Sequence, residues 1–405
     1  MDGNRPGTFA ALRHPNYRLW FFGQLISLFG TWMQTTAQGF LIFELTHSPA
    51  YLGFVGFASG VPTWLLTLYG GVVADRVPKR KLIVVTQSAM MVLAFILAFL
   101  TFLHLVQPWH VLILASLLGI ANSFDAPARQ SFVSEMVAPE DLTNAIAMNS
   151  MMFQSATVVG PAIAGVTYAL FGPGWCFTVN GISFIAVIAA LLAMKFPPRE
   201  VRPVSRPALE ELREGIQYMR SHSTIRVLIS MIAVSSMFGL SFSTLIPAWS
   251  VNVLGGGASI SGLLFSARGC GALIGALAIA SLGGRIMRGR MLMIGSFTYP
   301  VLLFALAFSR QVPLSLLILA GAGMGTILVN NLSNAIVQTS TPERLRGRVM
   351  GAYTWIFFGF MPLGALWSGT IAARLGEPAA VMINAAIAFS FAIAVRVFYP
   401  RLREE

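Results

Sequence analysis

The sequence predicts an all-α membrane protein with twelve transmembrane helices in two pseudo-symmetric six-helix bundles. Composition points there first. Of 405 residues, 56% are hydrophobic and only 10% charged, and the mean hydropathy is +0.73. A soluble domain carries about 25% charged residues, so bilayer is the expected solvent. The chain then divides into apolar runs of the length needed to cross hydrocarbon, about 20 residues. Finally, all but three of the 27 Lys and Arg fall on one side of the alternating runs.

In order, the runs cover 18–45, 49–74, 82–106, 109–132, 143–170, 175–196, 225–252, 258–282, 291–309, 313–337, 347–372 and 378–398. Connections such as His47–Ser48 and Gly172–Gly174 are so short that the helices they join must be antiparallel. Met1 to Asn16 are polar and lead straight into the first run. That run is read as a span, and no cleavable signal peptide is expected. With the amino terminus inside, Arg5, Arg13 and Arg18 fall on the inner side, as do Arg76, Lys79, Arg80 and Lys81 between the second and third spans. The basic residues from Lys195 to Arg226, Arg285 to Arg290 and Arg344 to Arg348 follow the same pattern, together with those of the carboxyl end. Arg310 and Arg374 fall outside, and Arg268 lies within a span. This asymmetry places both termini in the cytoplasm. It also accounts for the net charge of +12 as a topology signal, so no nucleic-acid partner is expected.

The two halves repeat. Pro139, Glu140 and Leu142 correspond to Pro342, Glu343 and Leu345, and Gly165, Gly172 and Asn180 to Gly369, Gly376 and Asn384. One insertion reconciles the two offsets. The expected division is 1–196, a linker at 197–224, and 225–405. The linker opens with Pro197, Pro198, Pro203 and Pro207. It continues as an amphipathic helix with Leu209, Leu212, Ile216 and Met219 on one stripe, read as lying on the inner leaflet or as a solvated connector.

The loop after the second span reads Gly71-Val-Val-Ala-Asp75-Arg76-Val-Pro78-Lys79-Arg80. Gly71 permits close approach of a neighbouring helix. Asp75 can face the positive amino end of another helix while the basic cluster stays among headgroups. The segment resembles the signature Gly-x-x-x-Asp-Arg-x-Gly-Arg-Arg of the major facilitator superfamily, with Pro78 in place of a glycine. That resemblance implies a cytoplasmic gate that steadies the outward-facing state. In the fifth span, Gly160-Pro161-Ala-Ile-Ala164-Gly165 resembles the superfamily's antiporter motif, which accompanies export. Here Pro161 removes a backbone donor and the small residues allow close packing. Four further segments look like the bacterial subgroup that includes the enterobactin exporter and macrolide-efflux-like proteins. These are Tyr17-Arg-Leu-Trp20, Gly30-Thr-Trp32-Met-Gln34, Asp125-Ala-Pro127-Ala-Arg129-Gln130 and Pro342-Glu-Arg-Leu-Arg346-Gly347-Arg348-Val349.

The fold implied by this resemblance lines a central cavity with spans 1, 4, 7 and 10. In the first span Gln24, Ser27, Thr31, Gln34, Thr35 and Gln38 share one helical face. The tenth offers Thr326, Asn330, Ser333 and Asn334, and the seventh Ser235, Ser236, Ser241, Ser243 and Thr244. Polar stripes must face protein or water, so cavity lining competes with interhelical bonding for each residue. A charge at bilayer centre costs at least about 2.5–3.5 kcal/mol. Arg268 near the middle of the eighth span therefore needs an anionic ligand or a carboxylate. Asp125 and Arg129, at i and i+4 near the inner third of the fourth span, read as an ion pair at the gate. Asp125 is also the deepest carboxylate and hence the candidate for proton coupling. Trp32, Tyr353 and Trp355 can stack on a flat ligand or pack in the core.

No phosphate-binding Gly-x-x-x-x-Gly-Lys loop is present in the sequence, and the histidines have no metal-ligand spacing. No cofactor, metal or enzyme activity is expected. The expected function is export of an amphipathic small molecule, siderophore or drug-like, by proton antiport across a bacterial cytoplasmic membrane. A monomer is expected, with the lipid bilayer, protons and substrate as its partners. The alternatives are a lysolipid flippase of the same fold and a membrane enzyme or sensor.

Overall fold

The computed structural model describes residues 9–196, 208–282 and 287–403, and these are helical throughout, with no strand among them. Six helices form the first half: α1 (Pro15–Thr46), α2 (Pro49–Arg76), α3 (Lys79–Phe102), α4 (Pro108–Phe132), α5 (Leu142–Phe171) and α6 (Pro173–Ala193). A linker helix follows, α7 (Ala208–Ser221). The second half holds α8 (Ser223–Val253), α9 (Ala258–Leu282), α10 (Arg288–Leu306), α11 (Val312–Ser340), α12 (Glu343–Leu375) and α13 (Glu377–Phe398). Each apolar run of the sequence overlaps one of these helices, although the runs 82–106, 175–196 and 291–309 extend past the helix ends at Phe102, Ala193 and Leu306. Elsewhere the helices outrun the apolar stretches, as at Lys79–Lys81 and Glu343–Arg346. Backbone hydrogen bonding needs no apolar side chains, so a helix can continue past the apolar stretch that would lie in hydrocarbon.

Ten of the helices are long and apolar enough to cross a membrane. The expected count of twelve exceeds this by α1 and α5, of 32 and 30 residues. Their length suffices, but Gln24, Gln34 and Gln38 in α1 and Asn149, Ser150 and Gln154 in α5 reduce their apolarity. Both helices are packed inside the bundle, α1 against α5 and α6, and α5 also against α9. Prolines occupy the first turns of α1, α2, α4, α6, α11 and α13, where the missing N–H has no intrahelical partner to lose. The turns closing α5 and α12, at two glycines paired in the expected repeat, share one backbone geometry. Gly172 has φ 86° and ψ 171°, and Gly376 has φ 85° and ψ 158°. That region is essentially open to glycine alone.

Most of the core lies within each half. Tyr17, Trp20, Ile83, Phe132 and Leu191 pack together in the first, and Leu228, Ile232, Leu292, Leu303 and Val337 in the second. The linker helix differs from expectation. Leu212 and Met219 are buried in the core of the second half, a Cβ on Gly215 would strike the Arg348 carbonyl, and Glu214 pairs with Arg348. Its apolar stripe is thus largely consumed by protein rather than by the leaflet, although Leu209 remains 73% exposed. The linker prolines 197, 198, 203 and 207 lie outside the described residues.

The halves meet through glycines. A Cβ on Gly53 would sit 2.7 Å from the Ala365 carbonyl, and one on Gly60 2.6 Å from Pro362, so α2 rides on α12. Across the molecule, a Cβ on Gly165 would be 2.8 Å from the Ala258 carbonyl and one on Gly262 2.3 Å from that of Pro161, so α5 rides on α9. Ser266 Oγ donates to the Val158 carbonyl at 2.6 Å across the same seam. All of these contacts lie between the middle of the helices and the ends near Pro49 and Ala258. At the opposite ends, the ion pairs His14–Asp141, Lys79–Glu135 and Arg348–Glu214 each stay on one side of the seam.

Candidate functional site

Between the halves, above the level where Trp64 of α2 meets Trp355 of α12 at 5.1 Å between ring centroids, lies a cavity of about 380 Å³. Helix α1 contributes Trp32, Thr35 and Gln38, and α2 contributes Ser59 and Thr63. From α4 comes Asn122, from α8 Ser241, Ser243 and Thr244, from α9 Phe265 and Arg268, and from α12 Phe358 and Met361. The wall is mostly apolar with scattered hydroxyl and amide groups. Arg268 is its one charged side chain among the described residues.

Helix α8 enters the cavity in non-α winding. Wider π turns at Ser235–Leu240 and Trp249–Val253 flank a 3-10 stretch at Ser241–Leu245. Such winding breaks the regular i to i−4 ladder and marks functional segments in other helices.

Arg268 sits near the middle of the 25-residue α9. Its backbone is clamped against α11, where a Cβ on Gly323 would lie 2.1 Å from the Arg268 carbonyl. The side chain turns to the cavity. Its Nε is buried with no hydrogen-bond partner, and no carboxylate among the described residues pairs with it.

The polar face of α1 divides. Thr35 and Gln38 reach the cavity, whereas Gln34 turns to α6 and accepts from Asn180 Nδ2 at 2.6 Å. Gln24 is buried and absent from the cavity wall, and Thr31 donates back to the Ser27 carbonyl at 2.9 Å. The expected α11 residues, Asn330 and Asn334, are not in this wall. Asn330 accepts from Ser235 Oγ at 3.2 Å and from Tyr353 OH through its carbonyl at 3.1 Å, and Asn334 accepts from Gln338 at 2.6 Å. Asn330 thus ties α11 to α8 and α12, Asn334 bonds within α11, and α2, α9 and α12 take the cavity positions. Their signal was present in the sequence: Gly53, Gly56 and Gly60 recur on one face of α2 and bring its neighbouring hydroxyls, Ser59 and Thr63, to the seam. Of the aromatic candidates, only Trp32 lines the cavity.

Asp125 is fully buried at the seam of α3 and α4, away from the cavity wall. Its carboxylate accepts from Thr86 Oγ1 at 2.8 Å and Gln87 Nε2 at 3.1 Å, and lies 2.5 Å from Arg129 Nε. In the gate motif, Lys79 pairs with Glu135 at 2.8 Å and Arg80 donates to the Leu192 carbonyl at 2.8 Å, capping α6. Asp75 and Arg76 are exposed. The glycine of close approach is Gly70, whose Cβ would meet the Ser123 carbonyl at 2.0 Å, and not Gly71, which has open space. One residue is 100° of helix, enough to turn Gly71 away from α4. The motif in α5 joins two neighbours: a Cβ on Gly160 would strike Trp32 of α1 at 2.6 Å, while Pro161 and Gly165 face α9.

A family model described as transmembrane secretion effector matches residues 6–405. The staphyloferrin A transporter of Staphylococcus aureus is 25% identical over 86% of this chain and 87% of its own. The multidrug efflux pump Tap of Mycolicibacterium fortuitum is 25% identical over 95% of both chains. An enterobactin exporter of Shigella flexneri is 25% identical over 84% of this chain and 81% of its own. Among solved structures, a variant of the nucleoside transporter NupG superposes with a TM-score of 0.75 at 16% identity, over 95% of this chain and 100% of that one; at that identity the likeness speaks for the fold alone. The chain belongs to the transmembrane secretion effector family of major facilitator transporters, and it is a multi-span membrane transporter rather than an enzyme.

Proposed function

We propose that this transporter exports an amphipathic small molecule, siderophore or drug-like, by alternating access in exchange for protons. The observation that carries the reading is the cavity between the halves, mostly apolar with sparse polar groups and sealed toward one end by the glycine seams. Such seams can part and reform as two rigid halves rock about a central site. The named cargoes of the relatives, staphyloferrin A, enterobactin and drugs, favour the same class. In this reading α1 and α5 also span the membrane, giving twelve spans. Both termini are cytoplasmic, a pseudo-two-fold axis along the membrane normal relates 18–196 to 225–398, and the unit is a monomer. Reporter fusions after Arg80 and after Arg346 should then both report the cytoplasm; opposite locations would break the topology.

Export itself is tested with inverted membrane vesicles, where the cytoplasmic face is accessible. Vesicles bearing the protein should accumulate a fluorescent siderophore or drug when acidified inside, and control vesicles should not. Asp75→Asn should lower that rate by roughly tenfold, the effect of about 1.4 kcal/mol on the gate's preferred state, with membrane insertion unchanged. Wild-type rates in Asp75→Asn would reduce the loop to a topology signal.

A further inference from the structure

We propose that the central cavity is an anion receptor in which Arg268 grips a negatively charged group of the cargo, so that the carrier selects anionic over neutral or cationic amphiphiles. The inference rests on the cavity being the transport site and adds the charge class of what enters it. Three observations converge. Arg268 is the one charged side chain in the wall among the described residues. Among the described residues the wall has no carboxylate that would attract a cationic drug, and none pairs with Arg268 elsewhere. A buried guanidinium nitrogen is left without an acceptor, although buried polar groups are normally satisfied.

The surroundings favour a specific class of anion. Guanidinium binds two oxygens in a fork, which suits carboxylate, catecholate, sulfonate or phosphate. The same wall holds Phe265, Trp32 and Phe358, aromatic surfaces for a flat apolar body, and the hydroxyls of Ser241, Ser243 and Thr244, which can accept or donate to a polar edge. The helix bearing Arg268 is pinned on both faces, by Gly323 against α11 and by Gly269, where a Cβ would lie 2.8 Å from the Thr157 carbonyl. The backbone from which the Arg268 side chain reaches the cavity is therefore held in place. The matching chemistry is an anionic group on an aromatic or amphipathic body.

The test uses two fluorophores that share an aromatic body and differ by a charge: 8-anilinonaphthalene-1-sulfonate and neutral N-phenyl-1-naphthylamine. Binding to the purified full-length chain in nanodiscs is read against empty nanodiscs. Wild type should bind the sulfonate, and Arg268→Gln should weaken that by about tenfold or more. Arg268→Lys should recover part of it, because the charge returns without the fork. Affinity for the neutral probe should stay within about twofold throughout. Displacement of the sulfonate by 2,3-dihydroxybenzoate identifies soluble aromatic acids as the fitting anions. Displacement by lysophosphatidylglycerol, but not by lysophosphatidylcholine, identifies an anionic lipid headgroup instead. Undiminished sulfonate binding by Arg268→Gln overturns the assignment. So does equal loss of both probes, which would make Arg268 a prop for the cavity's shape. Failure of wild type to bind either probe would instead overturn the cavity as the transport site.

Discussion

Asp125→Asn is expected to abolish uphill efflux driven by an imposed pH gradient while leaving substrate binding in place. Among the described residues Asp125 is the one carboxylate deep within a helix of the first half, fully buried, with Thr86, Gln87 and Arg129 around it. A coupling carboxylate must exchange its proton when the halves rock. Asp125 sits where α3 meets α4, and α4 also supplies Asn122 to the cavity wall. A proton taken by Asp125 would loosen Arg129, one turn further toward the inner end of the same helix, and so connect protonation to the inner end. Asparagine keeps the shape and can still accept from Thr86, but it cannot ionise. The substitution also breaks an ion pair. Because the Arg129 side chain is 25% exposed, the stability loss should be about 1–3 kcal/mol, below the 3–5 kcal/mol of a fully buried pair. Purified Asp125→Asn should therefore remain folded and bind cargo. Uphill efflux at the wild-type rate under a pH gradient would move the coupling site elsewhere.

The second large effect belongs to the seam. Gly165→Val places a branched side chain where even a Cβ would be 2.8 Å from the Ala258 carbonyl and 3.0 Å from Ser259 Cα. These are backbone atoms and cannot swing aside. Gly165 faces the opposite half, so the first bundle should still fold, but α5 and α9 should fail to close. Transport should fall below about one tenth of wild type, since packed interfaces are bistable rather than continuously deformable. The arrested state should also show itself directly. With Cys176 and Cys270 replaced by Ala, a Thr35→Cys label site on the cavity wall should become reactive toward an impermeant maleimide added from outside in Gly165→Val, and remain protected without it. Normal transport by Gly165→Val would mean that this seam does not need to close.

What the sequence made legible follows from what each signal encodes. Apolar runs encode burial in lipid, so the helices and their order could be read directly. The same measure fades in α1 and α5, which carry their amides into the protein. Polar periodicity encodes a face but not its neighbour. Gln34 and Gln38 are four residues apart, yet one bonds α6 and the other reaches the cavity. The amides of α11 were legible as polar, but their partners Ser235 and Tyr353 are set by packing angles that no local pattern specifies. Gly71 and Gly70 show the same limit, since the motif marks the turn of helix and the crossing geometry chooses the residue. Arg268 was legible for a different reason. A charge in the middle of an apolar run is costly wherever it points, so its significance did not depend on knowing its neighbours.

A guanidinium with no counter-ion among the described residues is also an electrical element. Each elementary charge moved through the full membrane potential is worth about 2.3 kcal/mol per 100 mV. In the alternating-access cycle proposed above, Arg268 stays near mid-span while the cavity changes the side it opens to, and the water-filled path to it would change as well. The voltage drop then redistributes around a fixed positive charge, as though that charge had moved through part of the field. With a monoanion docked, the site is neutral and the same rearrangement carries almost no net charge. Loaded and empty carriers thus respond differently to the membrane potential. The voltage acts on the return of the empty carrier, while the outward step with cargo is nearly blind to it.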